Sequence, residues 1–98
     1  MRTIKELING EKKVYIFLRT KAIRYRFMSD AEREGITYED KVKPTERQVD
    51  DIMALNPDGT ICFIGFVGRI CYHAGGDTVI RVDYERYIDG QEKYTVWD

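Results

Sequence analysis

The stretch NPDGTICFIGFVGRICYHAGG, residues 56–76, decides how this chain is read. Its first four residues are a strong turn signal. Pro57 presets φ for the second turn position and Gly59 suits a position needing φ > 0, so Leu55 and Thr60 are expected to flank a reversal. Beyond the turn, the apolar run interrupted by Gly65 and Gly68 reads as consecutive β-strands. A second reversal at Phe66-Val67 would set Cys62 directly across from Cys71, with Cβ atoms about 5 Å apart. Cys71 and His73, two apart on one strand, would then share a face. Both cysteines and the only histidine thus fall within twelve residues.

Thiolate and imidazole are zinc ligands, and the expectation is that Cys62, Cys71 and His73 hold a structural zinc ion tying two strands together. Asp77 or a residue of a partner would complete the tetrahedron. The chain lacks the paired C-x2-4-C ligands usual in such sites, and small buried cysteines acting as hydrophobes are the alternative. A Cys/His nucleophilic pair is disfavoured, because neighbours two apart on a strand project in parallel and no third orienting group is evident. The glycine pairs Gly65/Gly68 and Gly75/Gly76 lack the spacing of a phosphate loop and read as turn glycines. No catalytic residue is assigned, and the chain is read as a non-enzyme.

Working outward, Thr3-Ile-Lys-Glu6 is a capping-box pattern opening a short helix that Asn9-Gly10 ends. The run VYIFL at 14–18 suits a central strand buried on both faces. Thr20 can cap a helix over 21–34, where Ile23, Phe27 and Ala31 form one apolar stripe and Gly35 closes the last turn. A short strand is expected around Ile36 to Tyr38. Pro44 opens a helical turn with Thr45 and Gln48 in capping-box spacing, and Ile52 to Leu55 reads as either helix or strand. A strand over 78–82, a continuation or helical turn over 83–88 and an edge strand at 94–97 complete the chain. Helix, strand, helix, then a run of strands argues for a single α+β domain over 1–98, with a largely antiparallel sheet of four to six strands and the longer helix on one face. The core is expected to draw on Val14, Ile16, Leu18, Ile23, Phe27, Ile61, Phe63, Ile70, Val79 and Val82.

With 43% hydrophobic and 34% charged residues, the 98-residue chain has the composition of a folded domain. It has no apolar run near the ~20 residues needed to cross a bilayer, and its first thirteen residues contain no apolar stretch of signal-peptide length. A cytoplasmic protein with reduced thiols is the expectation. Net charge is −1 but unevenly placed: residues 1–26 carry eight Lys/Arg against two Glu, whereas residues 83–98 carry five acids against two bases. The densest basic segment, Arg19-Thr-Lys-Ala-Ile-Arg-Tyr-Arg26, places Lys21 and Arg24 as neighbours on a helix with Tyr25 beside them. Such a surface can hold phosphates and stack a base. Cations at a helix N-terminus oppose the helix dipole by roughly 0.3 to 1 kcal/mol each, so helix propensity does not explain them. Arg19, Lys21, Arg24, Tyr25 and Arg26 are therefore the candidate partner-binding residues, with a solvated basic face as the alternative.

The succession VYIFLRT, a helix ending AEREGITY, then PTERQVDDIMALNPDGTICFIGFVGRICY and IRVDYERYIDG, resembles small proteins of phages and mobile elements of Gram-positive bacteria. Among these are the type II anti-CRISPR proteins that bind Cas9. The resemblance implies stoichiometric inhibition of a bacterial immune nuclease through a protein or guide-RNA-complex surface, without turnover, and carries over no functional residue. The rival readings are a small metal-dependent or thiol enzyme and a protein that binds a nucleotide signal.

Overall fold

The apolar run at 14–18 forms β1 (Val14–Phe17), an inner strand of a four-stranded sheet. The computed structural model describes residues 2–74 and 79–96. The other strands are β2 (Ile52–Leu55), β3 (Ile61–Phe63) and β4 (Ile80–Asp83), in the order β3-β2-β1-β4. β2 is antiparallel to both of its neighbours, and β4 is parallel to β1, so the α+β fold is built on a mixed sheet. The hairpin between β2 and β3 is the one expected from Asn56-Pro-Asp-Gly59. Asn56 N–H donates to Thr60 O at 2.8 Å, Gly59 N–H donates to Asn56 O at 2.9 Å, and Gly59 has φ +88°.

Alternation along the strands separates two faces. One face presents Val14 and Ile16, registered against Leu55, Met53 and Val82, and continues into Ile61. All six are buried with Phe27, Met28 and Ala31 of α1 (Lys21–Arg33) and with Tyr84 and Tyr87 of α3 (Tyr84–Ile88). The rings of Phe27 and Tyr84 meet edge to face, 5.1 Å apart at 87°. The opposite face presents Tyr15 registered against Arg81 and Ala54. Tyr72 of α2 (Phe66–Ala74) lies there, 6.2 Å from the Tyr15 ring, and its carbonyl accepts from Arg81 Nη1 at 3.1 Å.

Local signals set the helix ends. Thr20 Oγ1 accepts from Ile23 N–H at 3.2 Å to start α1. At its other end Gly35 N–H donates to Glu32 O and Ile36 N–H to Ala31 O, the paired bonds of a Schellman motif, with Gly35 at φ +78° where a Cβ would be strained. Asp83 caps α3 by accepting from Arg86 N–H at 3.3 Å. At the N-terminus the capping box forms as expected, Thr3 N–H donating to Glu6 Oε2 at 2.7 Å and Glu6 N–H to Thr3 Oγ1 at 3.3 Å around a 3-10 turn at Lys5–Leu7. The Glu34 carboxylate fixes that turn to the end of α1, accepting from Ile4 and Lys5 N–H.

Several expectations are corrected. Residues 66–74 are helical, so no second hairpin reversal exists at Phe66-Val67 and Cys62 lies opposite Ala54, not Cys71. The reason is visible in the period: Gly68, Arg69 and Tyr72 fall on one helical side and meet the protein, which strand alternation would not allow. Ile70 and Phe63, expected in the core, are exposed, and Val79 is half-buried, while Ile23 packs half-buried against the core as expected. The strand expected near Tyr38 is a single bridge to Ile61, and the tail contributes a single antiparallel bridge from Thr95 to Val82. Pro44–Glu46 is a 3-10 turn, but Thr45 Oγ1 is bonded to Glu32 Oε1 at 2.5 Å. Gly75, Gly76, Asp77, Thr78 and Trp97 lie outside the described residues.

Candidate functional site

The helical period divides the five basic-segment residues into three that converge and two that do not. Lys21, Arg24, Tyr25 and Met28 stand at i, i+3, i+4 and i+7 on α1 and make one stripe. Along it runs a groove of about 250 Å³ whose far wall is the 44–49 segment, contributed by Thr45, Arg47, Gln48 and Val49. Arg24 is half-buried and anchored, its Nε donating to Leu18 O at 3.2 Å. Tyr25 is 61% exposed, with Lys21 Nζ 6.0 Å from its ring centroid.

The far wall is held by its own contacts. Pro44 is buried, and Thr45 bonds Glu32 of α1. The Arg47 guanidinium lies 4.7 Å over the Tyr38 ring, which in turn stacks on Phe63 at 5.5 Å. Arg47 also pairs with Asp40, and that hydrogen bond holds the Asp40 carboxyl below the usual carboxylate range. Among the described residues lining the groove, Lys21, Arg24 and Arg47 are cationic and none is acidic. The groove can therefore take an anionic group, offer an aromatic face beside it, and supply hydroxyl and amide partners from Ser29 and Gln48.

Arg19 and Arg26 serve the fold. Arg19 Nη2 bonds Asp83 Oδ2 at 2.7 Å, its Nε lies 3.9 Å from Glu85, and its guanidinium sits 5.7 Å over the Phe17 ring. The hydrogen bond to Asp83 raises the Arg19 pKa further. Arg26 Nε donates to buried Asp30 at 3.0 Å, and Asp30 also accepts from Arg33 at 2.5 Å and from the Tyr84 hydroxyl at 2.6 Å. The sequence segment is basic as a block; Asp30, which pairs with Arg26, is its i+4 neighbour and within reach of local reading, whereas Asp83 and Glu85, which pair with Arg19, lie far along the chain.

The Cys62, Cys71, His73 cluster does not assemble as expected. Cys62, on β3, is half-buried with its Sγ 3.6 Å from Asn56 Oδ1, whereas Cys71 and His73 are both exposed on α2. Two residues apart on a helix, their side chains diverge by about 200°. The His73 ring instead packs edge-on to Tyr72, 5.2 Å away. Among the described residues, no three His, Cys, Asp or Glu side chains form a metal-holding group.

Sequence reasoning missed Ser29, Arg47, Gln48 and Val49 as parts of the groove. PTERQ carries the polar residues, but only the tertiary contact of its turn with α1 reveals their use. No helix among the described residues is long and apolar enough to cross a membrane. Comparison with protein-family models, curated proteins and solved structures finds no match.

Proposed function

We propose that this protein is a binding protein that works without turnover, and that it grips a phosphate-bearing partner along the groove between α1 and the 44–49 segment. The observation that supports this most is the gathering of Lys21, Arg24 and Arg47 around an exposed Tyr25 ring, with Asp40, the ion-pair partner of Arg47, outside the lining. Single-stranded nucleic acid is recognised in this manner, by cations tracking phosphates and an aromatic face stacking a base. Joined to the resemblance to phage and mobile-element proteins, the reading becomes inhibition of a bacterial immune nuclease such as Cas9 by occupation of its guide-RNA complex.

The test is a fluorescence-anisotropy titration of a single-stranded RNA, together with capture of Cas9 with and without guide RNA. Binding that weakens with salt, and falls at least tenfold in Lys21→Glu/Tyr25→Ala, both at exposed positions, while the melting temperature barely moves, is the expected result. Absence of RNA binding and of guide-dependent capture, or binding indifferent to that double substitution, overturns the reading.

A further inference from the structure

Among the described residues, the contacts of α2 with the rest of the protein come from one side. Tyr72 is buried against Tyr15, Arg69 Nη2 pairs with Asp51 at 2.7 Å, and Gly68 packs so closely on Ile64 that an added Cβ would lie 2.9 Å from the Ile64 Cβ. At 100° per residue, Phe66, Val67, Ile70, Cys71 and Ala74 lie together on the other side, with exposed His73 at the edge of the stripe beside Phe66. None of the five carries a charge, and Phe66, Val67 and Ile70 are 81%, 71% and 53% exposed. We infer that this stripe is a self-association surface, on which two copies of the chain pair antiparallel along α2 about a two-fold axis at Ile70.

Shape and charge favour a second copy as the occupant, and the area sets how strongly it is held. With the axis at Ile70, Phe66 of one copy faces Ala74 of the other, one helical turn to either side. The largest side chain of the stripe meets the smallest, and the face is complementary to itself, as an isologous contact requires. The five residues of the stripe are uncharged and the net charge is only −1 per chain, so like surfaces approach without strong repulsion. From the exposed fractions, the three large side chains offer on the order of 350 Å² per copy, against about 800 Å² per partner in a standard interface. The pairing is accordingly weak and concentration-dependent, and the chain folds as a monomer when dilute.

The experiment is sedimentation of the full chain over a wide concentration series. The expected result is a shift from one to two chain masses as concentration rises, which Ile70→Glu and, independently, Val67→Lys abolish or push at least tenfold higher. Both positions are exposed, so melting of dilute protein should not change. Because Cys71 lies one residue from the axis, a short bismaleimide should join Cys62→Ser protein into covalent dimers but leave Cys71→Ser protein unlinked. A wild-type chain that stays monomeric throughout, or variants that dimerise as well as the wild type, overturns the inference.

Discussion

α1 and α2 invert the simplest relation between composition and burial. α1 carries Lys21, Arg24 and Arg26 in its first two turns, yet it buries Phe27, Met28, Asp30 and Ala31. α2 has a single arginine in nine residues and buries only Tyr72. The difference lies in what each helix meets. The apolar stripe of α1 lies over the sheet face that carries Val14 and Ile16, and its surplus charge is absorbed by Asp30. α2 touches the opposite face through Tyr72 and is tied to Asp51, just before β2, by Arg69, and leaves its apolar side to solvent. Apolar composition alone therefore does not identify a core helix; the pairing of its polar residues with acids or carbonyls of the fold is the better guide.

The sharpest way to break this comparison is truncation. Phe27→Ala should cost about 3–5 kcal/mol in chemical denaturation, the usual range for emptying a buried aromatic site. Ile70→Ala, at a half-exposed position on α2, should stay within about 0.5 kcal/mol. Equal losses would mean that both helices are core elements.

Acid and alkali should act on different helices. Burial, followed by the nearby Glu6 charge, pushes the Tyr87 hydroxyl up to about 12, and burial raises Tyr84 beside α1 as well. A raised folded-state value means stability that is fully present below the ordinary tyrosine value near ~10 and lost as pH rises through the folded value. The α1–α3 side should therefore loosen between about pH 10 and 12. The hydrogen bond from Arg69 lowers Asp51, so its contribution is present above the ordinary carboxylate value and fades as pH falls through the depressed one. Hydrogen exchange at both extremes checks the division: α3 should open first in alkali, and the α2 anchor should weaken below about pH 4. The same order of opening at both extremes would contradict it.

The smallest effect belongs to the groove's far wall. The Tyr38 hydroxyl is buried with no hydrogen-bond partner among the described residues. Tyr38→Phe removes a desolvated group and keeps the ring between Arg47 and Phe63, so stability should be unchanged or slightly higher. A loss above about 1 kcal/mol by chemical denaturation would show that the hydroxyl contributes to the fold.

Where the sequence was legible, the signals were local and agreed with one another. Thr20 and Gly35 bracket α1, Asn56-Pro-Asp-Gly59 turns the hairpin, and Thr3 with Glu6 closes the capping box. The segment after Phe63 was misread because a short apolar run fits either period, and the decision between them rests on contacts from distant positions: Asp51 for Arg69, and Tyr15 for Tyr72. The candidate site was half legible for the same reason. Lys21, Arg24 and Tyr25 follow from helical spacing on one element, whereas Arg47 joins them only because the Pro44–Glu46 turn packs on α1. Arg19 could not be recognised as structural without Asp83, whereas the pairing of Arg26 with Asp30 was open to helical spacing and was missed.

The central claim, that the α1 groove is the contact face, is tested most directly by titrating isotopically labelled protein with a short single-stranded RNA and following the amide resonances residue by residue. Saturable, salt-sensitive shifts centred on Lys21, Arg24, Tyr25 and Arg47, with α2 unaffected, are the expected result. An unperturbed groove, whether the RNA fails to bind or its shifts fall elsewhere on the protein, would contradict the account.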